Sequence, residues 1–195
     1  MMIQRNVLTM AVAFMVLLTG TVALAQSGPQ QELKKAIDDA IEILKQPDLG
    51  QKQQVEKLRV VLYPRFDFQE MAMRSLGSHW RRRTAEQKEE FTKLFTSLLE
   101  QTYAKTISSY DGQQVVYTGE KVDGKYAQVE SKIVDKKGRE FQINYRMFNR
   151  NNDWLIYDVV IENISLVNNY RAQFNRVITR NSYDQLVSKM RGKTS

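Results

Sequence analysis

The chain has 195 residues, with 29 Lys and Arg against 22 Asp and Glu, one histidine and no cysteine. A disulfide framework and a thiolate metal site are excluded, and a single histidine excludes a histidine-rich metal site. The formal charge of +7 fits nucleic acid, an anionic membrane or an acidic protein as partner.

The first segment reads as an export leader. Arg5 precedes an apolar run from Val7 to Leu18, and Ala23-Leu24-Ala25 puts small residues at the two positions a signal peptidase reads. The run is short for a bilayer span. Cleavage is expected after Ala25. That leaves residues 26–195 as a single domain of charge +6, long enough for its own core. Export speaks against nucleic acid as partner.

Helical spacing follows at Leu33, Ile37, Ala40, Ile41 and Leu44, and Gln46-Pro47-Asp48-Leu49-Gly50 breaks it. Val55, Leu58 and Leu62 form a second stripe that stops near Pro64. Asp67 and Glu70 are spaced as a reciprocal helix cap, with Phe66 and Met71 as its hydrophobic staple. Gly77 is expected to end that helix. Thr84 and Gln87 repeat the capping pattern ahead of Phe91, Leu94, Phe95, Leu98, Leu99 and Tyr103, which share one face of a long helix.

Beyond Asp111-Gly112 the period changes to two. Val115 and Tyr117 alternate with Val116 and Thr118. Asp123-Gly124 then turns into Ala127, Val129, Ser131 and Ile133, and Asp135-Lys136-Lys137-Gly138 into Phe141, Ile143, Tyr145 and Met147. After a polar turn at Asn149 to Asp153, the last strand runs from Trp154 to Val160. Four strands with tight turns predict an antiparallel meander with one apolar face. Helical spacing returns at Leu166, Val167, Tyr170, Phe174 and Val177, then at Tyr183, Leu186, Val187 and Met190. Helices, strands, then helices give an α+β fold. Its curved four-stranded sheet, covered by helices, can leave an apolar cavity between the layers.

No phosphate-binding loop, nucleophile elbow or zinc-protease motif occurs. His79 reads as a partly exposed loop residue. Asp158 is expected to face solvent or cap a neighbouring loop, although a carboxylate in a concave sheet can serve as a general base. Arg81-Arg82-Arg83 is the densest charge run. It is read either as a solvated helix entry or as a docking patch for phosphate or an acidic partner.

Several blocks together resemble the MlaC family. They are Tyr63-Pro64-Arg65-Phe66-Asp67-Phe68-Gln69-Glu70-Met71, Leu76-Gly77-Ser78-His79-Trp80, Thr84 to Phe91, Phe95 to Tyr103, and Asn169-Tyr170-Arg171-Ala172-Gln173-Phe174. The resemblance spans roughly Gln31 to Arg191. It implies an NTF2-like curved sheet elaborated by helices and a monomeric periplasmic carrier with no catalytic residues, metal or cofactor. The cargo it implies is phospholipid, passed between an outer-membrane lipoprotein complex and an inner-membrane ABC transporter complex to maintain outer-membrane lipid asymmetry. Relatives that handle hopanoids leave the head group open.

The acyl chains are expected against Phe68, Met71, Leu76, Phe91, Phe95, Leu98, Tyr170 and Phe174 on the helices, and against Val129, Ile133, Phe141, Ile143, Tyr145 and Met147 on the sheet. Arg81, Arg82 and Arg83 are the expected partner-docking residues. Two rival readings are a small-molecule enzyme using Asp158 or His79 and an adaptor without ligand.

Overall fold

The computed structural model describes residues 27–194; the expected leader and its cleavage site lie outside them. The chain starts with α1 (Pro29–Leu44) and α2 (Gln51–Leu62). A 3-10 turn at Tyr63–Arg65 leads to α3 (Phe68–Leu76), and a second 3-10 segment at Gly77–Arg82 to α4 (Ala85–Ser108). Then come β1 (Gln114–Asp123), β2 (Tyr126–Val134), β3 (Glu140–Arg150), β4 (Asp153–Ile161) and β5 (Ile164–Ser165). α5 (Leu166–Arg180) and α6 (Tyr183–Thr194) close the chain.

The helix starts follow local chemistry. Pro29 opens α1, where its missing N–H costs nothing. Asp67 Oδ1 accepts the Glu70 amide at 2.8 Å. The reciprocal half of that cap does not form: the Asp67 amide donates to the Ile156 carbonyl at 2.9 Å, and Arg74 holds the Glu70 carboxylate at 2.8 Å. The Thr84 box closes in both directions, each bond 3.2 Å. At Gly77 the backbone turns to φ +59°, a conformation that favours glycine, and Arg171 Nε lies 2.7 Å from where a Cβ would be.

The five strands pair in chain order, all antiparallel. The sequence predicts four. The fifth is two residues long, too short for alternation to reveal it. Register shifts between Tyr117 and Gly119 and between Arg146 and Met147 bend the sheet, as an extra residue on one strand does. The Asn151-Asn152 turn takes φ of 52° and 71°, a conformation asparagine tolerates.

Apolar side chains gather in three places. Met71, Phe91, Phe95, Leu98, Tyr170, Phe174 and their neighbours pack α3, α4, α5 and α6 into a bundle. Leu33 of α1 covers Ala127, Val129, Met147 and Ile156 on the inner face of the sheet. Ala40, Ile43 and Leu58 join α1 to α2.

Candidate functional site

A residue in the middle of a sheet loses its accessible surface only where something packs upon it. The inner face divides on that test. At one end Val129 and Met147 are 0 % exposed and Ile156 is 1 % exposed, under Leu33, Phe66 and Leu166. Towards the other end Val115, Tyr117, Ile133, Ile143, Tyr145 and Ile161 are half-buried on the same face, around a fully buried Ser131. Phe141, opposite Ile133, is exposed. α1 thins out over this half: Leu33 is sealed in, while Ile37, one turn on, is half-buried. The main backbone packing of α2 and α4 is against other helices and not against strands. The result is a half-covered apolar stretch of the inner face beside α1, called the hollow below.

The phenols report on its polarity. Burial pushes the Tyr145 hydroxyl up to about 12, while the residue as a whole is half-buried. Burial also raises the Tyr117 hydroxyl, whose oxygen is buried without a hydrogen bond. Ser131, across the strand pair from Tyr117, satisfies itself on the Ile143 carbonyl at 2.7 Å. This stretch is apolar apart from the Tyr117, Ser131 and Tyr145 hydroxyls.

Polar bonds fasten the α1–α2 arm at both ends. Glu32 of α1 accepts from Arg65 Nη1 at 3.0 Å and from the Trp154 amide at 3.2 Å. Glu100 of α4 accepts from Arg59 Nε at 2.9 Å and from the Tyr63 hydroxyl at 2.8 Å, tying the end of α2 to the bundle. Burial first, and that bond second, push Tyr63 up to about 12.

The sequence-predicted lining residues fall into two groups. Ile133, Phe141, Ile143 and Tyr145 border the hollow, while Val129 and Met147 lie in its sealed end. Met71, Leu76, Phe91, Phe95, Leu98, Tyr170 and Phe174 are brought together elsewhere, in the bundle core. There the Phe95 ring meets Tyr170 edge-on at 5.3 Å and Phe174 at 5.7 Å. Phe68 stacks on Phe66 at 5.6 Å between the two groups. Tyr117, Val115, Ile161 and Ile37 share this half-covered region and are not among the sequence-predicted residues. The alternation of β1 and its pairing with β2 were the signal for the first two.

Asp158 caps a helix. It is 3 % exposed and accepts from Ser165 Oγ at 2.6 Å, the Val167 amide at 3.1 Å and Arg146 Nη1 at 3.0 Å. His79 is half-buried, its Nε2 2.8 Å from Asn175 Oδ1, far along the chain from Asp158. Arg81 and Arg82 are exposed, and Arg83 lies over the Tyr183 ring at 4.3 Å. No group of three or more His, Cys, Asp or Glu among the described residues could hold a metal ion. No described helix is long and apolar enough to cross a membrane.

Three comparisons bear on this arrangement. The profile of the MlaC protein family matches residues 34–192. The intermembrane phospholipid transport system binding protein MlaC of Haemophilus influenzae is 26% identical over 182 residues, 89% of this chain and 85% of that protein. Toluene tolerance protein ttg2D of Pseudomonas putida is 29% identical over 105 residues, 53% of this chain and 49% of its own length. The solved structure of a phospholipid-binding protein from Ralstonia solanacearum, in complex with a phospholipid, aligns with a TM-score of 0.77 at 28% identity, covering 86% of this chain and 97% of that one.

Proposed function

The chain belongs to the MlaC family, and from that premise we propose that it is a periplasmic phospholipid carrier rather than an enzyme. The leader, residues 1–25, is removed on export, and residues 26–195 act as one lipid-binding unit. Acyl chains lie in the hollow against Ile133, Phe141, Ile143 and Tyr145, with Val115, Tyr117, Ile161 and Ile37 completing the wall. The carrier moves lipid between an outer-membrane lipoprotein complex and an inner-membrane transporter complex.

One observation carries this reading: apolar residues on the inner sheet face stay half-buried while the helical bundle is closely packed. An enzyme would place a titratable group in such a hollow. Asp158 is instead committed to the start of α5, and the phenols that border the hollow are held neutral by burial.

Magnitudes favour exchange between membranes over release to water. Burying hydrocarbon gains about 0.8 kcal/mol per methylene, so a two-chain lipid gains roughly 20 kcal/mol or more. Escape into water is negligible. A bilayer offers a similar gain, so transfer between hollow and membrane is close to neutral and docking partners set its direction.

The test is loading. Lipid-stripped protein is incubated with vesicles of phosphatidylethanolamine and phosphatidylglycerol, re-isolated by gel filtration and assayed for lipid phosphate. Stoichiometric phosphate is expected; none above a control protein would refute the reading.

A further inference from the structure

The arginines divide sharply. Arg59, Arg65, Arg74, Arg139, Arg146, Arg150 and Arg191 each pair with a carboxylate. Arg81, Arg82, Arg83, Arg171, Arg176 and Arg180 are the remaining described arginines, and none has a carboxylate partner among the described residues; Arg83 is turned onto Tyr183 with its Nε buried. All six fall in the Gly77–Arg83 segment or on α5, which lie side by side. Arg171 Nε sits beside Gly77, and His79 bonds Asn175.

Both stretches are also free of acid, since no Asp or Glu occurs from Met71 to Ala85 or from Asn163 to Tyr183. The nearest carboxylates in the chain are Glu70, which is held by Arg74, and Glu86, Glu162 and Asp184. α5 buries Val167, Tyr170 and Phe174 in the bundle and turns Arg171, Asn175 and Arg176 to solvent. A groove of about 360 Å³ runs between the two elements, walled by His79, Asn168, Arg171 and Asn175 among others.

We propose that this face is a docking surface for an acidic protein partner, whose carboxylates pair with the guanidinium forks while one side chain enters the groove. Arginine suits this because its planar fork matches a carboxylate with two parallel bonds. Neither element contains a lysine. A bilayer is the poorer fit. The large apolar residues left exposed all lie on other elements, so nothing here would insert among lipid tails. The face offers instead Ser78, Asn168, Asn169 and Gln173, groups that bond peptide. It lies on the helical bundle. The proposal stands apart from what the hollow carries.

The probe is a poly-glutamate peptide, titrated by fluorescence anisotropy against the mature protein at low and physiological salt. A variant with Arg81, Arg82, Arg171 and Arg176 all changed to Glu is compared with one of equal charge change at exposed Lys52, Lys121, Lys137 and Lys189. Circular dichroism and thermal melts confirm that both are folded. Reversal on the face is expected to weaken binding by about tenfold or more beyond the lysine control, since each exposed pair is worth a fraction of a kcal/mol to about one. Salt should weaken wild-type binding. Equal losses in the two variants, no binding at low salt, or tighter binding to phosphatidylglycerol vesicles than to the peptide would each overturn the proposal.

Discussion

Filling the hollow should expel lipid without unfolding the protein. Ile143 lies mid-strand on β3 in the half of the inner face that keeps accessible surface. A tryptophan there adds six non-hydrogen atoms, displacing about three methylenes of tail, or about 2.4 kcal/mol at 0.8 kcal/mol each. That is a loss of about 50-fold in the exchange constant between vesicle and protein. Ile133→Trp on the neighbouring strand should act alike, and the pair should abolish loading. The thermal midpoint should barely move, because the added ring extends from a half-buried position and not from the sealed core. Phe95→Ala is the contrast: Phe95 is 0 % exposed in the bundle core, so its truncation should cost about 3–5 kcal/mol of stability and leave the lipid bound per folded molecule unchanged. Lipid phosphate after vesicle equilibration and a melt on the same sample read both quantities. If Ile143→Trp unfolds the protein, or loads as fully as wild type, the hollow is not where the side-chain accessibilities place it.

Three further outcomes follow from the polar groups. Glu100→Gln weakens the tie from α2 to α4, and should lower stability by about 1–2 kcal/mol and speed lipid exchange between donor and acceptor vesicles; unchanged exchange would mean the arm does not gate the hollow. Asp158→Asn should cost about 1–3 kcal/mol through the loss of charge-assisted bonds at the start of α5, seen as a lower urea midpoint with lipid loading intact. Tyr145 is raised to about 12 from an ordinary value near 10. Its contribution to stability is therefore complete below pH 10 and lost as pH rises from 10 to 12, at up to about 1.4 kcal/mol per pH unit. Tyr145→Phe should remove that part of the slope, and urea melts across this range would show it if present.

Much of the fold is legible in local patterns, and the reason is visible residue by residue. The Thr84–Gln87 box and the Phe91-to-Tyr103 stripe specify α4 by contacts within a few residues. Period-two alternation from Ala127 to Met147 names the inner face of β2 and β3, and the register preserves it. What no local pattern holds is which layer covers a given apolar face. Phe95 and Ile143 look equally like lining in the sequence. One meets Tyr170 and Phe174, contributed by a helix far downstream, and is sealed; the other meets the edge of α1 and is not. The arginine face is hidden for the same reason. Three of its residues form a run, but the other three are spaced along α5 and join them only where that helix packs beside the Gly77–Arg83 segment.

The most direct measurement is native mass spectrometry of the full chain expressed with its own leader and purified from the cell envelope. A mature mass starting at Gln26, carrying an added mass that dissociates as an intact phospholipid, is the predicted result. A bare polypeptide that takes up no lipid from vesicles would contradict the assignment of the hollow to acyl chains.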